Sequence, residues 1–275
     1  MMDLKKKILE HVKHEVKTSI ENTYPFNYLH INNFFPNDIY KKMMEHYPNE
    51  LIKELKKNND ISVFTLSELP EHLDILNQKD KTFWRFILAE VYPDVVNILL
   101  NFLKKQVIKQ IKILDMLNIF NDSYKPQFDD HNNLTNSTCH TNLYNRSENF
   151  SIEPHFHQLR EIINVLHFIP EDNSNEDLGT QLYSVNEDFI TELEDFVYPG
   201  IDQKLLGKSI EAPYKANSAL IWVNTSSTIH GRKPLPRTHE RKYIFAFQKI
   251  NNESLNMSAF DRKLDGPVKI KTNKT

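Results

Sequence analysis

From about residue 142 to residue 250 the chain is written in short apolar runs broken by turn residues. Ile162–Ile169 reads IINVLHFI, Ser218–Val223 reads SALIWV and Lys242–Phe247 reads KYIFAF, with the polar stretch PEDNSNEDLG following the first. Several short strands set apart by such turns predict a sandwich or barrel of antiparallel strands. The preceding part reads differently. Leu4, Ile8, Val12, Val16 and Ile20 recur every four residues, one face of a helix over 1–21. The aromatic stretch 26–35 reads as a short strand, and Pro36-Asn37-Asp38 as the start of a helix reaching about Tyr47. Residues 48–80 are polar and poorly periodic, and 118–141 are rich in Asn, Asp and Ser, hence loop. Between them, Trp84, Ile87, Leu88 and Val91 open a helical stripe that continues to about residue 117, with Pro93 expected to split it in two. The expected class is α+β. One domain holds a mostly helical flanking region over 1–141, a β core over 142–250, and a polar surface tail over 251–275.

Several function classes are excluded on composition. The chain has five glycines, none spaced as GxGxxG or GxxxxGK, so dinucleotide and P-loop phosphate cradles are out. A formal charge of −3 points to no nucleic-acid partner. One cysteine, Cys139, rules out an intramolecular disulfide framework and a CxxC zinc site. A nucleophile made of Cys139 and His140 is rejected too, because neighbours on a loop rarely face each other and no orienting acid is evident. The charged N-terminus lacks the apolar run of a signal peptide, and no 18-residue apolar run occurs, so no membrane association is expected and the expected compartment is the cytoplasm.

Among twelve histidines, His155 and His157 stand apart. They lie two residues apart in EPHFHQLREIINVLHFI, at the opening of an apolar strand. The two-residue period of a strand sends both imidazoles from one face, with Glu161 on that face if the strand runs unbroken. Two nitrogens so placed make half a metal site, or else a pair bonded to water and carbonyls. His230 follows the strand SALIWV and precedes Gly231; a turn histidine there can point into a barrel mouth. Arg241 opens the next strand. An inward arginine in an apolar barrel is costly unless it meets an anion, and a guanidinium pairs well with a carboxylate. A surface ion pair with Glu240 is the alternative, and Arg232, Lys233, Arg237 and Lys242 compete for the role.

The ordered set PHFH, LGTQLY, NSALIWVN with HG, then Arg241, resembles the Fe(II)/2-oxoglutarate-dependent oxygenases over about Leu143 to Gln248. PFNYLHINNFFPNDIYKKM is similar to the opening strand and helix of small bacterial and phage-type members. The resemblance implies a double-stranded β-helix (jelly-roll) core with N-terminal flanking helices. It implies Fe(II) held by His155 and His230, 2-oxoglutarate as cosubstrate with its far carboxylate on Arg241, and help from Tyr144 or Asn142. It also implies hydroxylation of an unactivated C–H bond of a small molecule or amino acid. Thr180, Tyr183, Trp222 and Asn224 are further pocket candidates. The family's carboxylate position is occupied by His157, giving a three-histidine set of no negative charge. Imidazole still suits iron, and His157 fills the position that chloride-inserting members leave vacant. His155, His157 and Glu161 also resemble the first metal motif of cupins, which implies Glu161 at the metal and indifference to Arg241. The sequence leaves the substrate and the oligomeric state open.

Overall fold

The computed structural model describes residues 2–59, 63–116, 118–146, 151–185, 201, 203–234 and 239–255. The helices are α1 (Met2–Thr18), α2 (Asn37–Glu45), α3 (Asn49–Asn59), α4 (Pro70–Leu73), α5 (Gln78–Arg85), α6 (Tyr92–Phe102) and α7 (Lys104–Met116). The strands are β1 (Glu21–Asn22), β2 (Tyr28–Ile31), β3 (Val63–Ser67), β4 (Ser137–Arg146), β5 (Ile152–His155), β6 (Glu161–Phe168), β7 (Thr180–Val185), β8 (Leu206–Ala212), β9 (Ser218–Val223), β10 (His230–Arg232) and β11 (Arg241–Ile250).

Two antiparallel sheets face each other. The larger has the order β1-β2-β9-β6-β11-β4-β3 and the smaller β5-β10-β7-β8. Along the chain, β4 to β11 alternate between them except at β7 and β8, which are neighbours in the smaller sheet, so that β4-β11-β6-β9 oppose β5-β10-β7-β8. That order of eight strands is the double-stranded β-helix, the expected jelly roll. The strands from the flanking region, β1, β2 and β3, extend the edges of the larger sheet.

Alternation along the strands divides the apolar residues into two cores. Inward-facing Leu166, Phe168, Leu220, Trp222, Tyr243 and Phe245 meet Leu182 and Ala212 of the smaller sheet. The opposite face of the larger sheet, with Leu143, Ile163, Val165, Ile221, Ile244 and Ala246, packs on the helices. All eight residues of β6 are buried because helices cover one face and the second sheet the other.

Several boundaries differ from the sequence reading. The stripe of α1 buries Ile8, Val12 and Val16, but Ile20 is 82% exposed. The helix stops at Thr18, whose hydroxyl, with that of Ser19, bonds back to carbonyls of the last turn. Residues 48–80 hold α3, β3 and α4. In β3 only Phe64 and Leu66 alternate inward, too short a pattern to stand out among polar neighbours. Pro93 does not split its helix. A π-helical turn over Phe86–Val91, with the Tyr92 N–H on the Ile87 carbonyl, delivers the chain to α6 with proline in its first turn, where no N–H is needed. The break comes at Leu103, where the axis turns by 85° into α7. No single helix among the described residues is long and apolar enough to cross a membrane. The core begins at Ser137 rather than at residue 142, since β4 pairs with β11 over its full length. Leu255 is buried against the body, and the remainder of the tail, 256–275, lies outside the described residues.

Candidate metal centre

The larger sheet ends each inward row differently. Arg146 and Arg241 are opposite at one end, followed by Tyr144, Tyr243 and Phe168, then Asn142, Phe245 and Leu166, then His140, Phe247, Asn164 and Trp222. The smaller sheet supplies the histidines across from these rows. His155 is the last residue of β5 and His230 the first of β10, and the two are register partners. Gly231 permits this close pairing: a Cβ there would stand 2.8 Å from the Ile152 carbonyl oxygen.

The strand expected to carry His155 and His157 together is broken. β5 ends at His155, and His157 sits in the connection to β6 in the other sheet. The connection is fixed by Asn224, whose amide donates to the carbonyls of His157 at 3.0 Å and Gln158 at 2.7 Å. His230 likewise lies on a short strand, not in a turn. The three imidazoles nevertheless converge: one nitrogen of each lies within 4.8 Å of the others, and all three residues are buried.

Their protonation follows from their partners. Nδ1 of His155 donates to the Glu153 carbonyl (2.8 Å), Nδ1 of His230 to the Thr228 carbonyl (3.0 Å), and Nδ1 of His157 to the Glu161 carboxylate (2.7 Å). These oxygens accept only, so in the neutral rings the Nε2 atoms carry lone pairs. Nε2 of His157 and of His230 stand 3.0 Å apart, so with both Nδ1 atoms protonated two lone pairs meet there and offer themselves to a shared cation. Burial, then the neighbouring rings, holds His230 well below the ordinary histidine range, and burial lowers His155 to about 4. His230 and His155 are thus held as neutral donors near neutral pH. Metal–nitrogen bonds of about 2.1 Å at a right angle span roughly 3.0 Å, so the donor set fits a divalent ion. Second oxygens on every Nδ1 are the usual support of metal-bound imidazoles.

A cavity of about 230 Å³ opens beside the triad, lined by all three histidines and by Tyr144, Thr180, Arg241 and Phe245 among others. Arg241 is 2% exposed. Its Nη2 donates to Thr180 Oγ1 at 2.6 Å, its Nε has no partner, and no carboxylate lies within 4 Å among the described residues. The rings of Phe168 and Tyr243, 5.1 and 5.2 Å away, carry part of the charge. Burial lowers its pKa to about 10. The expected surface alternative fails because Glu240 pairs with Lys56 at 2.6 Å. Of the competitors, Lys242 pairs with Glu171, Lys233 is exposed, Arg232 is buried but off the cavity, and Arg237 lies outside the described residues.

Tyr144 lines the cavity, its ring stacked on Tyr243 at 5.1 Å. Asn142 shares its face but does not line the cavity; it stands opposite Phe245, whose ring packs on His157 at 5.0 Å and fills that level. Thr180 reaches the cavity, whereas Tyr183 bonds Gln181 instead. Trp222 packs on His230 at 4.7 Å. Glu161, the cupin-type ligand, is not a member of the converging set and stands behind His157. Cys139 and His140 lie on β4, not on a loop, and neighbours on a strand leave opposite faces. His140 stacks on Phe247 while Cys139 packs in the core beneath the helices, its thiol pushed up to about 12 by burial, so they form no nucleophilic pair. The carbonyls of Glu153 and Thr228 leave no mark in sequence, because any residue supplies them. Phe245 had a signal, the inward period of KYIFAF, but nothing tied it to His157.

No family model matches the chain, and no curated protein matches it. Among solved structures the chain is similar to a prolyl-4-hydroxylase of Pseudomonas putida, with 10% identity over 89% of this chain and 100% of that one, TM-score 0.46. It is similar to a prolyl hydroxylase of Trichoplax adhaerens in complex with a hypoxia inducible factor peptide fragment, with 11% identity over 92% and 93%, TM-score 0.46. It is also similar to the epimerase SnoN in complex with Fe3+, alpha ketoglutarate and nogalamycin RO, with 8% identity over 96% of each chain, TM-score 0.45. Identities and scores this low carry no inference about chemistry. In the order of its eight core strands and in the stations of its buried histidines and arginine along them, the chain resembles the Fe(II)/2-oxoglutarate-dependent oxygenases.

Proposed function

We propose that the chain is a non-haem Fe(II)/2-oxoglutarate-dependent oxygenase. His155, His157 and His230 hold the metal, and Arg241 with Thr180 anchors the far carboxylate of the cosubstrate. One observation carries the reading: a single cavity has three converging imidazoles at one end and, at the other, a buried guanidinium with no carboxylate within 4 Å among the described residues. A molecule with an anionic end and a chelating end satisfies both at once. The cavity is smaller than the ~300–1,000 Å³ typical of sites for drug-sized ligands, which suits a small dicarboxylic acid.

Bound together, Fe(II) and 2-oxoglutarate supply oxidation by dioxygen coupled to decarboxylation, with succinate and CO2 as products. The chain's own part is binding and orientation. Arg241 and Thr180 fix the anion. Tyr144, Leu166, Tyr243 and Phe245 wall the cavity and exclude water. The Nδ1 bonds of the three histidines fix ring rotation. The reaction we propose is hydroxylation of an unactivated C–H bond of a small molecule. Chloride insertion is disfavoured, since His157 occupies the position it requires.

The test is anaerobic addition of Fe(II) and 2-oxoglutarate to the purified chain, followed by the weak visible charge-transfer band. We expect a band that is absent in His155→Ala and needs far more 2-oxoglutarate in Arg241→Ala. No band in the unaltered chain, or one indifferent to both changes, sinks the reading. A band without dioxygen consumption across candidate substrates leaves a binding module instead of an enzyme.

A further inference from the structure

Three neutral imidazoles give a divalent ion no compensating charge, and the cavity wall adds none among the described residues. The carboxylate that the site does hold is set one residue back. Glu161 is 5% exposed, and its Oε2 accepts the Nδ1 proton of His157 at 2.7 Å. Among the described residues this is the acid bonded to the converging histidines; His155 and His230 rest their Nδ1 protons on neutral carbonyls. A turn closed by the Glu161 N–H on the Gln158 carbonyl (2.8 Å) brings the carboxylate back over His157 four residues earlier. β6 thus begins where the carboxylate must stand.

We propose that Glu161 supplies through His157 the negative charge that a carboxylate ligand would otherwise bring to the metal. The hydrogen bond draws the Nδ1 proton toward Glu161 and makes Nε2 a stronger donor than that of either other ring. In a buried site the charge acts across one imidazole with little screening. His157 and Glu161 then work as one anionic unit, and the three rings are not equivalent. Glu161 is a positioning residue: it touches neither ion nor cosubstrate. The inference rests on the metal reading of the triad.

The experiment is anaerobic Co(II) binding, with affinity taken from chelator competition and the site followed by its visible bands. Co(II) is used alone, so neither cosubstrate nor turnover enters. We expect Glu161→Gln, which keeps an acceptor oxygen but no charge, to bind about 10–100-fold more weakly. We expect His157→Asp/Glu161→Gln, which moves the carboxylate into the ligand set, to recover to within a few fold of the unaltered chain. Equal affinity in Glu161→Gln overturns the proposal. So does a double variant as weak as the single one, because Glu161 then acts only by holding the ring. A second measurement needs no substitution. In the Zn(II)-loaded protein the Nδ1 proton of His157 should be the furthest downfield of the three ligand imidazoles in NMR; a resonance grouped with the other two overturns the proposal even where Glu161→Gln fails to fold. If the unaltered chain takes up no Co(II), or His155→Ala takes it up equally well, the metal reading itself has failed, which is a distinguishable result.

Discussion

His167 and His230 are both buried imidazoles on strands of the same barrel, yet their surroundings differ in kind. His167 has both nitrogens matched by protein: Nδ1 accepts from the Tyr92 hydroxyl at 2.7 Å, and Nε2 donates to Asn217 Oδ1 at 3.2 Å. Asn217 is itself held by the backbone of Phe35, so the network ties β6 to the segment before α2. His230 has Nδ1 matched in the same way, but its Nε2 faces the Nε2 of His157, lone pair against lone pair. The closed set is a core histidine that fixes tertiary structure. The open set has lone pairs left for an added cation to fill. Burial alone does not separate them, since it lowers the pKa of both, His167 to about 3. The complement of partners does.

The largest test of that contrast is pH. His155 and His167 titrate near 4 and 3 in the fold, against an ordinary value near 6.5. Between those values the unfolded chain binds protons that the fold refuses. Stability is therefore full above about 6.5 and is lost as pH falls toward 4, by ~1.4 kcal/mol from each group for every pH unit crossed. Thermal melts of the metal-free protein should show this decline. In the presence of Zn(II) it should steepen, because protons and metal compete for the triad. A metal-free melt that is flat from pH 7 to 4 refutes the picture of neutral buried rings.

Next in size is a matched pair of substitutions. His167→Phe leaves the buried Tyr92 hydroxyl without its partner and removes one of the two bonds to Asn217 Oδ1, which keeps the Phe35 N–H; it should cost roughly 1–3 kcal/mol in denaturant unfolding. His230→Phe removes a nitrogen that faces another lone pair. It should leave the metal-free stability within about 1 kcal/mol and abolish the rise in melting temperature on adding Zn(II) that His167→Phe retains. If the two variants exchange behaviours, the distinction between closed and open sets is wrong.

Much of this contrast was legible in the residues. The aliphatic runs marked β6, β9 and β11, because central strands covered on both faces must be apolar at nearly every position. PHFH and HG marked the triad. The signal failed where structure depends on distant partners. β3 forms because β4 offers it an edge, and its five residues carry no pattern of their own. The π-helical turn before Pro93, with the Tyr92 N–H on the Ile87 carbonyl, shifts the backbone register by one residue, which apolar spacing does not express. His155 and His157 were expected to share one strand, whereas they converge from two backbone contexts. Glu161 was weighed as a ligand on spacing, but only the folded connection shows it gripping the back of His157.

The smallest effect sits at the other end of the cavity and asks if Arg241 is open in the same sense as the triad. Thr180 donates no charge, yet its hydroxyl is the hydrogen-bond acceptor that Nη2 of Arg241 uses. Thr180→Val keeps the shape and removes that oxygen. A closed structural arginine would lose a matched bond, and the fold would weaken by about 1 kcal/mol. An arginine awaiting a carboxylate has a different response: the loss appears mainly in the ligand, because the guanidinium is no longer held in the orientation that receives it. We expect a two- to tenfold weaker 2-oxoglutarate affinity, on the order of 1 kcal/mol. The melting temperature without ligand should shift by less than the melting temperature with it. Isothermal titration and paired melts separate the two outcomes, and equal shifts in both melts place Arg241 with His167 among the closed sets.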